Sequence, residues 1–183
     1  MLKMRSIIVS TCLLLAGCVA MPPALAPVGD AFYLSGRVAV KYGAEAQSGR
    51  ITWQHDVGAD ELLLSTPMGQ GVARIARSDA LVTLTTSDQK TYQAIDVETL
   101  TEKVLGWRFP FAGLPDWVRG RAAAGAPAQA RLDASGRLAE LNQSGWLVEF
   151  LEYKGEGGLP ARLRLSRENV EIRLVIDEWR GAT

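Results

Sequence analysis

Hydrophobic and polar positions alternate with a period of two through most of this chain. Phe32, Leu34, Gly36, Val38 and Val40 fall on one side, and Tyr33, Ser35, Arg37 and Lys41 on the other. This is the pattern of a half-buried strand of about ten residues. Arg50 to His55 alternates again, with Ile51 and Trp53 on the apolar side. Glu61 to Thr66, Val72 to Arg77, Leu81 to Thr85 and Thr91 to Ile95 read as further short strands. They are separated by turn residues at Gly58, Pro67-Met68-Gly69, Ser78-Asp79 and Ser87-Asp88. Regular spacing with local turns predicts an antiparallel meander, since parallel strands need long crossovers.

The period changes once, near the middle. Val97, Leu100, Val104 and Leu105 share one helical face, with Asp96 placed as N-cap and Gly106 as C-terminal stop. Leu114 to Gly120 predicts a second short helix, with Pro115 in its first turn and Gly120 ending it. Strands resume over Ala128–Asp133, Arg137–Ser144, Trp146–Tyr153, Arg162–Arg167 and Val170 to Trp179. The expectation is a mainly β, curved antiparallel sheet of about eleven strands, an incomplete barrel. One apolar face must be covered, and the central helices are the segment available as a lid. Between the two layers an apolar cavity is expected. No repeat or second domain boundary is visible, so residues 31–183 are read as a single domain.

The N-terminus follows a different logic. Lys3 and Arg5 precede an apolar stretch from Ile7 to Ala16, which closes on Leu15-Ala16-Gly17-Cys18. About ten apolar residues are too few for a bilayer core of roughly 30 Å and have the length of a signal-peptide core. Small residues followed directly by cysteine form a lipobox. Residues 1–17 are therefore read as a lipoprotein signal peptide and Cys18 as the acylated first residue of the mature chain. Val19 stands where Asp marks inner-membrane retention in enteric-type bacteria, which implies the outer membrane. Residues 18–30, with Pro22, Pro23 and Pro27, read as the lipidated N-terminus and an extended tether. The remaining cysteine, Cys12, lies within the signal, so the mature domain has no thiol for a disulfide, metal site or nucleophile.

Composition narrows the chemistry further. Twenty basic residues balance twenty acidic ones, which gives no electrostatic footprint for nucleic acid. His55 is the single histidine and is read as a packed or rim residue, without partners for a metal site or a triad. Ser144 lacks the pattern of a nucleophile elbow. Asp56, Asp60, Glu149 and Glu152 read as solvated carboxylates. No nucleotide motif is present. No enzyme, cofactor or metal is expected. Two features stand out. Pro67-Met68-Gly69 puts a methionine at the tip of a turn, either folded onto the core or exposed as an apolar prong for a membrane. The tryptophans 53, 107, 117, 146 and 179 are explained mostly by core packing, although Trp107 and Trp117 lie in the helical segment and are placed to face a covered cavity.

Several separated motifs carry a family resemblance. They are Phe32-x-Leu34-x-Gly36-Arg37-Val38-Ala39-Val40, Ser48-Gly49-x-x-x-Trp53, Leu64-x-x-Pro67-Met68-Gly69 and Leu105-Gly106-Trp107-x-x-Pro110. Leu114-x-x-Trp117-Val118-x-Gly120, Gln143-x-Gly145-Trp146, Leu159-Pro160 and Trp179 complete the set. In this order, behind a lipobox, they resemble the LolB family of outer-membrane lipoprotein receptors over nearly the whole mature chain. The resemblance implies a curved sheet closed by a helical lid, with a cavity that takes lipoprotein acyl chains from the LolA carrier. Insertion into the inner leaflet of the outer membrane follows. Candidate cavity and lid residues are Trp53 and Trp146 on strands, and Leu100, Val104, Trp107, Leu114 and Trp117 in the helical segment. Pro67, Met68 and Gly69 match the family's membrane-insertion loop, where Leu is the usual apolar residue. The implied partners are a LolA-like periplasmic carrier, lipoprotein acyl chains and outer-membrane phospholipid, with the receptor a monomer on the periplasmic face. The alternative is a structural or assembly lipoprotein that transfers no acyl chain. An esterase is a weaker one still, for want of a nucleophile and a base.

Overall fold

The structure is a computed structural model that describes residues 30–155 and 158–181. The signal peptide, Cys18 and the tether up to residue 29 lie outside the described residues. Eleven strands and two helices follow in chain order. The first six strands are β1 (Phe32–Tyr42), β2 (Glu45–His55), β3 (Ala59–Ser65), β4 (Gly71–Ser78), β5 (Leu81–Thr86) and β6 (Thr91–Ala94). Helices α1 (Val97–Leu105) and α2 (Leu114–Trp117) come next. The chain ends with β7 (Ala128–Leu132), β8 (Leu138–Gln143), β9 (Trp146–Tyr153), β10 (Pro160–Arg167) and β11 (Val170–Arg180).

All strands join one antiparallel sheet in the order β6-β5-β4-β3-β2-β1-β11-β10-β9-β8-β7. Two meanders are thus welded by pairing the first strand to the last, with Tyr42 opposite Val170 and Leu34 opposite Trp179. The sheet is open, and its two edges are β6 and β7. These are the two strands that flank the helices in sequence. Residues 95–127 therefore have to cross from one edge to the other, so the topology itself makes this segment a cover. Close approach of neighbouring strands shows at Gly36 and Gly49. A Cβ there would lie 2.1 Å from the Val175 and Ser65 carbonyl oxygens respectively, and Gly36 adjoins a register shift against β11.

Alternation decides which face is covered. Phe32, Leu34, Ile51, Trp53, Leu62, Ile75 and Leu84 are buried in the first half of the sheet. Leu141, Trp146, Val148, Leu163, Leu165 and Leu174 are buried in the second. From the crossing segment, Val97, Leu100, Phe109, Phe111, Leu114 and Trp117 join the same core. Phe111 meets Trp53 at a ring separation of 6.0 Å.

The caps of α1 are those expected. Asp96 accepts hydrogen bonds from the Glu98 and Thr99 amides, and Gly106 closes the helix at φ 83°, its N–H donating to Glu102 O. Two expectations are corrected. The second helix is a single turn, ending at Val118 as C-cap, and Gly120 follows at φ 76° as a separate turn. The second strand starts at Glu45 and not at Arg50. Glu45 to Ser48 are exposed on both faces, so this part of the strand carries no apolar alternation to read.

Candidate functional site

Thr66 to Gln70 connect β3 and β4 as a tight, internally bonded loop. Thr66 N donates to Gln70 O at 2.8 Å and Gly69 N to Thr66 O at 2.9 Å. Gly69 takes φ 88°, a conformation that favours glycine. With the backbone held this way, Met68 points outward and is 91% exposed. Of the two readings left open by the sequence, the packed methionine is ruled out. Alternating strand direction puts this loop at the same end of the sheet as the β1–β2 and β10–β11 turns.

The cover is pinned at several points. Thr101, fully buried on α1, donates through Oγ1 to Val97 O at 2.9 Å and accepts the Phe109 amide at 3.0 Å. Gln143, 2% exposed on β8, accepts from Trp117 Nε1 at 2.8 Å and from Ala123 N at 2.9 Å. Its amide nitrogen donates to the Ala123 and Ala126 carbonyls. One side chain thereby ties α2 and the return to β7 onto the far half of the sheet. Arg119 and Arg121, just beyond α2, both reach the Asp30 carboxylate at 2.8 Å. These two cations hold the Asp30 carboxyl below its usual range.

The candidate cavity residues divide into two groups. Trp53, Trp117, Leu100 and Leu114 are buried at 0%, 1%, 5% and 4% exposure. The expected apolar cavity is filled along this stretch, because Phe109, Phe111 and Trp117 of the crossing segment occupy it. Val104 and Trp107 are partly buried, and open space lies beside Trp107. A cleft of about 400 Å³ is lined by Tyr42, Glu102, Trp107, Arg108, Trp146 and Arg167. A smaller apolar groove of about 70 Å³ runs along Val38, Val40, Leu64, Val72 and Trp107. Trp107 belongs to both, and Trp146 reaches only the polar one.

Arg167 faces Glu98 of α1 across 3.7 Å. Burial raises the Glu98 carboxyl above its ordinary range, and the Arg167 charge opposes this only in part. A raised folded-state pKa adds stability that is full below the unfolded value and is lost as pH climbs through the folded one. Glu98→Gln, which stays neutral, is therefore expected to unfold at higher temperature than the parent at pH 7. The gain should vanish near pH 4, as paired thermal melts will show.

Sequence reasoning missed one cluster. Asp60 was expected in solvent, and its side chain is instead fully buried. Oδ1 accepts from Trp53 Nε1 at 2.8 Å and lies 2.7 Å from His55 Nδ1, while Oδ2 accepts from Arg77 Nε at 2.6 Å. His55, Asp60 and Arg77 are direct cross-strand neighbours on β2, β3 and β4. Starting the third strand at Glu61 hid the signal: one residue earlier, Asp60 falls in phase with Leu62 and Leu64. His55 is packed, as expected, and it has an acidic partner. Among the described residues no group of three or more His, Cys, Asp or Glu is arranged to hold a metal. No described helix is long and apolar enough to cross a membrane.

An open antiparallel sheet covered by a crossing helical segment is an architecture shared with solved structures. A LolA superfamily protein from Nitrosomonas europaea superposes with a TM-score of 0.53 over 84% of this chain and 87% of its own, at 8% identity. A DUF1329 family protein from Desulfovibrio piger gives 0.57 over 85% and 87%, at 7% identity. The fold class is thus the LolA-like open sheet. Within it, this chain belongs to the outer-membrane lipoprotein LolB family, which serves lipoprotein localisation: the family model "Outer membrane lipoprotein LolB" matches residues 30–179. The outer-membrane lipoprotein LolB of Thiobacillus denitrificans is 41% identical over 99% of this chain and 100% of its own. That of Dechloromonas aromatica is 35% identical over 98% of each.

Proposed function

We propose that this protein is an outer-membrane receptor that accepts lipoproteins from a LolA-like soluble carrier and inserts them into the facing leaflet. In this reading residues 1–17 are removed, Cys18 is acylated, residues 18–30 tether the domain, and residues 31–183 form one lipoprotein-binding unit. Acylation at more than one position gives stable anchoring, since each buried CH₂ contributes about 0.8 kcal/mol. The protein acts as a monomer and without catalysis.

One observation carries the reading. The fully presented Met68 and the groove beside Trp107 lie at the same end of the sheet. A chain leaving the groove thus emerges where the apolar prong meets the bilayer. The groove of about 70 Å³ is far below the roughly 300–1,000 Å³ of ordinary ligand sites. Acceptance therefore requires the crossing segment to lift, with Leu100, Val104, Trp107, Leu114 and Trp117 exchanging their packing in the core that includes Trp53 and Trp146 for contacts with acyl chains. Free acyl chains in water cost tens of kcal/mol at about 0.8 per CH₂, so transfer runs from cavity to cavity. No nucleotide is needed if affinity rises from carrier to receptor to bilayer. Equilibrium transfer of a labelled lipoprotein between purified carrier and this protein tests the order. Net flow to the receptor is expected, and net return to the carrier would contradict it.

A further inference from the structure

The cleft between the end of α1 and the β10–β11 turn contains a group with no assigned partner. Trp146, the first residue of β9, is 1% exposed, and its indole Nε1 is buried without a hydrogen bond. Three other indoles are satisfied: Trp53 by Asp60, Trp117 by Gln143 and Trp179 by the Pro160 carbonyl. A buried, unpaired N–H costs free energy that a phenylalanine in the same place would avoid. Trp146 is one of the residues that border the 400 Å³ cleft.

The charges around that cleft identify what the donor accepts. Arg108 is paired with Glu102 at 2.8 Å, and Arg167 faces Glu98 at 3.7 Å. With Glu168 also lining the cleft, the carboxylates at least balance the two cations, so the cleft has no excess positive charge with which to favour a phosphate. A lone neutral donor suits a neutral acceptor. Across Trp107, the adjoining groove is apolar along Val38, Val40, Leu64 and Val72. The combination fits an uncharged carbonyl attached to a long hydrocarbon chain.

We propose that this cleft is the subsite for the ester carbonyl of a fatty-acyl group, with the Trp146 indole N–H as its donor and the chain lying past Trp107 in the groove. The subsite rests on the acyl-transfer reading above and specifies which end of the ligand sits where. Both an acylated cysteine and a phospholipid carry such esters. The N–H has no partner among the described residues, and a carbonyl that enters the cleft beside it supplies one.

The test uses the chain from residue 18 onward with Cys18→Ala, which retains every described residue and carries no lipid. It is titrated with a dipalmitoyl-glyceryl cysteine peptide and with the dihexadecyl ether counterpart, which lacks the carbonyls. The ester ligand is expected to bind about tenfold tighter than the ether. Trp146→Phe should bring the two within about twofold. Equal affinities in the parent, or a preference that survives in W146F, would overturn the subsite. Failure of both ligands to bind would overturn the acyl-transfer reading itself. Should W146F not fold, the indole ¹H–¹⁵N resonance of Trp146 in the parent decides. A downfield shift with the ester and none with the ether is expected, and no shift with either overturns the proposal. A parallel arm with phosphatidylglycerol and its dialkyl ether separates the two sources. A preference there extends the subsite to any glycerolipid, and a preference confined to the peptide assigns it to cargo.

Discussion

Met68→Glu is expected to leave acceptance of cargo from the carrier intact and to reduce delivery into liposomes by at least about tenfold. Burying a methionine side chain in an apolar phase contributes roughly 1.5–3 kcal/mol. A carboxylate in the same place adds a desolvation cost of its own. Since about 1.4 kcal/mol corresponds to a factor of ten, the loss exceeds that factor. The substitution is structurally mild, because Met68 is 91% exposed and the loop is held by its own backbone bonds. Acceptance is read by depletion of the carrier-bound form, and delivery by flotation of labelled lipoprotein with the liposomes. Met68→Leu should deliver like the parent. Equal delivery by the Glu variant would remove the loop from the transfer step.

The second large effect concerns stability. Asp60→Ala leaves Trp53 Nε1 and the Arg77 guanidinium without their shared acceptor, and removes the carboxylate beside His55. Breaking a buried pair by deleting one partner typically costs about 3–5 kcal/mol. That is a large part of the roughly 5–15 kcal/mol by which a domain is stable. Urea unfolding should register the loss directly. In a double-mutant cycle, Arg77→Leu should cost distinctly less in the Asp60→Ala background than alone, because one deletion already breaks the pair. Strict additivity would mean that the two side chains do not act together. Because Trp53 packs against Phe111 of the cover, loss of the cluster is also expected to loosen the crossing segment.

How much of this was legible beforehand depended on whether a signal was local. Phe32 to Val40 and Val170 to Ile176 announced their strands because each has one apolar face. Asp96 and Gly106 bounded α1 because capping is chemistry within a few residues. Glu45 to Ser48 gave no sign of strand, since both faces are exposed there and pairing with β1 alone holds them. Asp60 and Gln143 were invisible as hubs for a different reason. Their partners come from other strands and from the crossing segment, so only register and topology bring the groups together. The exposure of Met68 likewise depended on how the turn closes, which Gly69 permits but does not dictate. The tryptophans stood out in the sequence by size, whereas Phe109 and Phe111, which fill the space under the cover, did not. Which of them fill space and which border it was a property of packing, beyond any periodicity.

The central claim is that incoming acyl chains lie against the covered face of the sheet, beside Trp107. Photo-crosslinking measures this most directly, with a photoreactive residue placed at Leu64 or Trp107 and, as control, at Leu63. Leu64 lines the apolar groove, whereas Leu63 is next to it on the opposite face and 40% exposed. On mixing with carrier-bound lipoprotein, adducts to the lipid moiety are predicted at 64 and 107 and not at 63. Equal labelling at all three positions, or lipid adducts at 63 alone, would contradict the account.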